Sequence, residues 1–414
     1  MKAFFAAILL ACALGALPAT AQEPVGAAAE TALVPMPPPT DSTPRPGQGE
    51  QDAFYNPLVE KDTAAPSPFT WWPLVFRPHV SYDIMYADGI LAKPGRRAHT
   101  FIQAFSPGLF VSWRRLWTLD YTPTWNSFTN PLFHNNISHY AKLRGATTYE
   151  DWAFSATQEY THTSAVLVET GQQTTIQDYT TVLKASYEVN SQERLETGFK
   201  QDIQASDLSD IREWSLPSSL HYAVGPGWDV FASTDPGYVD VVPGFSMIFL
   251  RLQTGISWKA LDALTFSAQG GVESRKIQGA GNSALNTGIF SGSIEYEPLR
   301  GTQLTASVSR EVAAAYSSDI SRDTQGFLRL RQQLFRRFHL TGGMGSQEVA
   351  YVPLGPGAIP IRVDHLNSWQ AGFGATLFRR GSIEFDYSRA LNDSNVPIFG
   401  FSSKQYEAIV SYRF

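Results

Sequence analysis

The chain has 414 residues, a formal net charge of −6, 43% hydrophobic and 13% aromatic residues, and a single cysteine, Cys12. The mildly acidic balance argues against nucleic acid as a partner, and one cysteine excludes a disulfide framework. Beyond Ala21 no apolar run approaches the roughly 18 residues of a membrane helix, so a membrane-spanning reading requires a closed barrel, whose half-wet strands keep overall hydrophobicity modest.

Residues 1–21 read as a signal peptide. Lys2 supplies a positive start, Ala3 to Leu17 is apolar, and Ala19-Thr20-Ala21 is a small-residue site with cleavage expected before Gln22. A lipoprotein reading needs Cys12 after Leu9-Leu10-Ala11, but the apolar run continues past it. Residues 22–70 are rich in Pro, Ala, Gly and Ser, with Pro37-Pro38-Pro39 and Pro44-Arg45-Pro46. They carry no hydrophobic period and are expected to be a disordered periplasmic segment, either a tether to a partner or a spacer.

Residues 71–414 alternate persistently between apolar and polar positions. Tyr179, Thr181, Leu183, Ala185, Tyr187 and Val189 share one parity, as do Trp369, Ala371, Phe373, Ala375 and Leu377. Tyr406, Ala408, Val410, Tyr412 and Phe414 do the same, with Ile409 the exception on the opposite parity. A period of two means strands, and no stretch reads as an amphipathic helix. Alternation of this kind fits a sandwich or a barrel. Segments longer than the usual strand of about five or six residues, the leader and the final Phe414 favour an all-β, transmembrane antiparallel up-and-down β-barrel. This last segment resembles the C-terminal signature of Gram-negative outer-membrane proteins, which implies that Tyr412 and Phe414 act as the assembly signal read by the outer-membrane barrel assembly machinery. The last strand should close on Val80, Tyr82, Ile84 and Tyr86.

Connections alternate in expected length. Short ones fall at Arg114-Arg115, Asn190–Gln192, Gly225–Gly227, Ala260–Asp262, Pro298–Gly301, Arg336-Arg337 and Arg379–Gly381. Longer ones are expected near 87–98, 127–136, 164–175, 205–210, 234–244, 277–283, 316–323, 352–364 and 392–403. This gives about 18 strands, with about 16 as the alternative, because the stretch from Gly225 to Gly244 and the one near Pro123 partition poorly. Trp71-Trp72, Trp113, Trp117, Trp152, Trp214, Trp228, Trp258, Tyr296, Phe335 and Phe378 sit near segment ends, as interfacial belts do.

Val80-Ser81-Tyr82-Asp83, Phe105-Ser106-Pro107-Gly108-Leu109 and Leu119-Asp120-Tyr121 resemble the opening strands of a beta-barrel porin family of Gram-negative outer-membrane proteins. The resemblance implies a bacterial outer-membrane location and a porin-like barrel. It supplies no functional residues.

The wet parity nominates pore-lining residues: Lys184, Glu188, Glu196, Lys200, Asp202, Arg251, Glu273, Glu295, Glu297, Arg329, Arg331, Glu384 and Asp386, with Gln253, Gln269 and Gln370 among them. Facing charges of both signs either set a transverse field across a pore or form cross-strand ion pairs in a filled lumen. Asp235, Asp240, Asp319, Asp323 and Asp393 read as loop carboxylates. No catalytic set, metal site or cofactor is expected. His134 and His139 bracket a loop without ligand spacing, and His162 beside Ser164 is the nearest approach to a hydrolase pair. The expected function is a passive channel for small hydrophilic solutes. Outer-membrane lipid and lipopolysaccharide surround it in this reading. The alternatives are a conduit or anchor for polysaccharide export, and a structural barrel with a plugged lumen.

Overall fold

A computed structural model describes residues 69–414 except 115, 262, 279–283, 300, 317–319, 336, 353–361 and 378–379. The expected signal peptide and nearly all of the Pro-rich segment lie outside these residues. Phe69–Trp71 (β1) is a short strand folded onto the start of Leu74–Lys93 (β2). The chain then runs through Arg96–Trp113 (β3), Trp117–Phe128 (β4), Asn136–Tyr149 (β5), Trp152–Leu167 (β6), Gln172–Glu188 (β7) and Glu193–Ser206 (β8). Next come Asp210–Ser215 (β9), Ser218–Gly225 (β10), Trp228–Val242 (β11), Ser246–Leu261 (β12), Leu264–Gln278 (β13) and Ala284–Leu299 (β14). Thr302–Ala314 (β15), Ile320–Leu334 (β16), Phe338–Val352 (β17), Arg362–Leu377 (β18), Gly381–Ser394 (β19) and Phe401–Arg413 (β20) complete the sheet. A 3-10 turn, Pro397–Phe399, precedes β20.

The strands pair antiparallel along the chain, and β2 pairs with β20 to close the sheet. β9 and β10 are two halves of one crossing, split at Leu216-Pro217. β8 and β11 each pair with both halves, and the Leu216 amide still reaches the Pro236 carbonyl at 2.9 Å. Proline has no amide to give the ladder, which explains the break. With β1 set aside, the barrel has 18 strands. The seam follows parity: Val80 faces Tyr412, Tyr82 faces Val410, Ile84 faces Ala408 and Tyr86 faces Tyr406. The Phe414 amide donates to the Pro78 carbonyl at 2.9 Å.

The two faces are inverted relative to a soluble protein. Tyr82, Ile84, Phe105, Leu252, Val272, Met344, Phe385 and Val410 are exposed on the outside, while Ser81, Thr100, Ser106, Glu196, Asp202 and Glu273 are buried inside. An exposed apolar surface on so many consecutive strands has only lipid as a compatible solvent, and a closed ladder leaves no edge unpaired in it. Of the expected belt, Trp113, Trp117, Trp152, Trp228, Trp258 and Tyr296 face outward near the short-turn end, whereas Trp214 sits farther up, opposite Tyr238. Trp228 stacks on Trp258 with centroids 4.5 Å apart. Gly145 lies directly opposite Trp117 on this outer face, and a Cβ there would sit 2.4 Å from the indole.

Two sequence expectations change. First, three of the expected long connections, 87–98, 164–175 and 234–244, are largely strand. Residues 87–98 are a hairpin turning at Pro94-Gly95, and Thr234 to Val242 lie inside β11. Toward the far end the inward face becomes apolar, as at Ile90, Leu91, Val239 and Val241, so the polar-in parity fails while pairing continues. Second, the loop carboxylates are mostly strand residues. Asp235 and Asp323 point inward on β11 and β16, Asp240 and Asp393 lie on the outer parity of β11 and β19, and Asp319 lies outside the described residues.

The pairing gap near Pro123 has a local cause. Phe105 pairs with Trp125 and Leu109 with Tyr121, but no register is kept across Ser106-Pro107-Gly108. His79 points into that gap, its Nε2 3.0 Å from Thr122 Oγ1 and 3.9 Å from Asp120. A Cβ on Gly108 would lie 2.0 Å from the His79 ring, so the motif needs glycine for close approach.

Candidate functional site: a charged lumen under an inward-folded lid

The lumen changes character along its axis. Toward the short-turn end its wall is wet. Glu188, Glu295 and Glu297 are exposed, and among the described residues none has a cation within ion-pair distance. Glu297, Gln303, Arg331, Gln333 and His339 line a cavity of about 250 Å³. A second cavity, of about 350 Å³, is lined by Glu188, Arg194, His221, Asp229 and Lys259. Here Arg194 Nε lies 2.7 Å from Glu196, and His221 Nδ1 lies 3.2 Å from Asp229.

Midway the wall becomes a buried charge network. β12 places Arg251 between its neighbours' carboxylates: Nε lies 2.8 Å from Glu273, Nη1 3.1 Å from Asp235 and Nη2 3.6 Å from Glu213. The β12–β13 register sets Arg251 opposite Glu273 and Phe249 opposite Arg275. Arg275 is 0% exposed; it pairs with Glu273 and donates to the Val312 carbonyl. Both guanidiniums lie over the Phe249 ring, at 4.4 and 5.1 Å. A buried arginine needs its charge matched and its N–H groups accepted, and this network provides both.

Above the network the described residues toward the far end pack an apolar cluster inside the barrel. Leu167, Ile176, Ile211, Val239, Val241, Phe245, Met247, Phe249 and Ile277 project inward and pack against Val312, Ala313, Ala314, Tyr316 and Ile320. Ala315 and Tyr316, which follow β15, are therefore packed inside the barrel. Tyr316 spans to the opposite strands: its hydroxyl donates to Gln204 Oε1 at 3.0 Å, and Ser209 Oγ donates to its carbonyl at 3.3 Å. A second apolar cluster joins Ala87, Ile90, Leu91 and Ala92 of β2 to Phe133, Val166, Val168 and Phe401. Arg362 at the start of β18 ties that side together. It donates to the Glu169 carbonyl at 2.7 Å and the Val168 carbonyl at 2.9 Å, pairs with Asp364, and stacks on Phe399 at 3.5 Å and Tyr351 at 4.7 Å. We call these connections the lid.

The nominated wall residues fall on the inward side. Lys184 faces Ser155 and Gly198, Lys200 lies 3.8 Å from Asp202, and Glu196 is buried against Arg194. Glu384 and Asp386 sit opposite Gly374 and Gly372, and Arg329 lies over Phe327 at 5.7 Å. The structure gathers Arg251 and Glu273 into one network and leaves Glu188, Glu295, Glu297 and Arg331 at the mouth. Sequence reading missed Glu213, Arg275, Arg362 and Asp364. Parity carried onward from Glu273 and back from Gln370 would have reached Arg275 and Asp364; the lid contacts leave no local signal. His139 and His162 face outward, stacked with ring centroids 5.8 Å apart, and Tyr121 Oη lies 3.0 Å from His139 Nδ1. Ser164 Oγ accepts from Thr175 rather than meeting His162.

No family model and no curated protein matches the chain. Solved structures with a similar outline include the outer membrane protein OpdK of Pseudomonas aeruginosa, 9% identical over 82% of this chain and 98% of that one, TM-score 0.44. Acinetobacter baumannii OccAB3 is 9% identical over 82% and 99% of the two chains, TM-score 0.45. Pseudomonas aeruginosa OpdO is 12% identical over 83% and 98%, TM-score 0.45. At these values the likeness carries no weight for function, which must be read from the barrel's own geometry. From that geometry the chain is a membrane-spanning antiparallel β-barrel of 18 strands with a charged lumen and an inward-folded lid.

Proposed function

We propose that the protein is an outer-membrane channel for small hydrophilic solutes, with passage governed by the lid at its far end. The observation that carries this reading is the wet, charged wall toward the short-turn end. Glu188, Glu295 and Glu297 stand exposed there, with Arg331 half-buried in the same wall, inside a barrel of a size that leaves room for an aqueous path. Ionised side chains facing an enclosed space demand water there. In this reading the short-turn end faces the periplasm, and the barrel reaches its membrane through the assembly machinery. Of the nominated wall residues, Glu188, Glu295, Glu297 and Arg331 face the path in this reading, and the buried Glu196, Asp202 and Glu273 brace the wall behind it. Solute flux and ionic conductance of the purified protein in planar bilayers test the proposal; absence of conductance in both the native protein and a lid-released variant overturns it.

A second reading is favoured by one specific observation. The apolar packing of Val312–Tyr316 against the opposite wall supports a structural barrel with a plugged lumen. The two readings part on a single measurement, the conductance of a variant whose lid contacts are removed. The polysaccharide-export reading rests on residues 22–70 and draws no support from the barrel.

A further inference from the structure

We infer that the outer face of the β2–β20–β19 seam binds the phosphorylated headgroup of a lipid in the far leaflet. The register builds two successive rows on this face. In the lower row Phe101 faces Tyr86, Tyr86 faces Tyr406, and Tyr406 faces Tyr387, with ring centroids 4.8, 6.4 and 5.1 Å apart. This is an interfacial aromatic belt. One outward step higher, His99 faces Asp88, Asp88 faces Lys404, Lys404 faces Arg389, and Arg389 faces Trp369. Arg97 lies a further step up and donates to the Gly400 carbonyl at 3.0 Å.

Lys404 and Arg389 are like charges directly opposite each other on paired strands, an arrangement that destabilises a sheet unless an anion joins them. Among the described residues neither has a carboxylate within ion-pair distance, and the Arg389 Nε is buried without an acceptor. Asp88 and Asp393 are the acidic residues on this face, set against Arg97, Arg389 and Lys404. Trp369 holds the Arg389 guanidinium in place at 5.1 Å, limiting the entropy lost when an anion docks.

Height decides the occupant. Lys404 lies ten residues along β20 from Phe414. At a rise of ~3.3 Å per residue and a tilt of ~40°, that climbs about 25 Å, the height of a barrel's apolar band. These cations therefore stand at headgroup level, facing lipid rather than lumen or bulk water. Two cations on one row and a third above suit a headgroup with more than one negative charge, so the occupant is a phosphomonoester-bearing glycolipid rather than a singly charged phosphodiester lipid.

The inference is independent of conduction and is tested by lipid retention. Full-length protein in detergent is titrated with bisphosphorylated lipid A and followed by native mass spectrometry, with phosphatidylglycerol and inorganic phosphate as separate arms. R389Q/K404Q is expected to weaken lipid A binding about tenfold, the loss of charge-assisted contacts at a partly exposed site. Asp88→Asn is expected to tighten it. Equal binding by the wild type and the double variant overturns the site. Phosphatidylglycerol binding as tightly as lipid A overturns the headgroup class, and displacement of the lipid by equimolar inorganic phosphate overturns the lipid as occupant. If the double variant fails to fold, an unchanged affinity in Asp88→Asn overturns the inference alone.

Discussion

Arg251 concentrates the chemistry of the wall in one side chain. Three carboxylates from three strands converge on its guanidinium, and Glu273 is shared with the fully buried Arg275. Removing one partner of a buried network is costly because the remaining charges keep their desolvation cost and lose their compensation. Arg251→Ala is expected to destabilise the barrel by roughly 3 kcal/mol, read from urea unfolding in lipid vesicles, and R251M/E273Q is expected to cost more than Arg251→Ala, because it also leaves the buried Arg275 without its carboxylate. A smaller loss in the double variant would show that Arg275 does not depend on Glu273. Glycine at 145 makes the opposite kind of demand, for space rather than charge. Gly145→Leu must displace the Trp117 ring that covers it, and is expected to cost about 1–3 kcal/mol in the same assay.

At the scale of elements, the seam and the lid differ in how far sequence alone could reach. The seam was legible. Alternation assigns Tyr406, Ala408, Val410 and Tyr412 to one face, and closure of an up-and-down barrel leaves β2 as the partner. Even the inward Ile409 has a place, buried opposite Asp83 and Glu384. Ser81 and Ser411 are directly opposed inside the barrel, at a separation a disulfide can span. S81C/S411C is therefore expected to form an intramolecular disulfide on oxidation, seen as altered migration of the unfolded chain; a free-thiol product would contradict the register. The lid was not legible. Arg362 reaches the Val168 and Glu169 carbonyls from nearly two hundred positions away, a contact that exists only once the barrel has closed. Thr234–Val242 misled in the other direction, because its inward parity turns from Asp235 to the apolar Val239 and Val241 where the lumen fills, while Tyr238 and Val242 stay apolar outside.

For the whole molecule, the lid and the charge distribution together predict how the channel conducts. Two apolar clusters pack inside the far end, and Arg362 is the polar tie beside the second, binding two backbone carbonyls and two rings at once. Arg362→Ala removes all four contacts while leaving the ladder intact, so single-channel conductance is expected to rise severalfold above the native level, with barrel migration on gels unchanged. Once the lid is released, selectivity falls to whatever charge the wall has left uncompensated. Arg251, Lys200 and Arg194 are spoken for by Glu273, Asp202 and Glu196, whereas Glu188, Glu295 and Glu297 stand exposed at the mouth. Uncompensated charge of one sign around a pore mouth concentrates counter-ions in proportion to its field. The lid-released channel is thus expected to prefer K⁺ over Cl⁻ in reversal-potential measurements under a salt gradient. Adding E295Q/E297Q is expected to move the reversal potential toward zero, and the shift should shrink at high ionic strength as screening lengths fall below the width of the mouth. A reversal potential that favours Cl⁻, or one indifferent to both glutamates, would place the controlling charge elsewhere on the wall, with Arg329 and Arg331 the next residues to change.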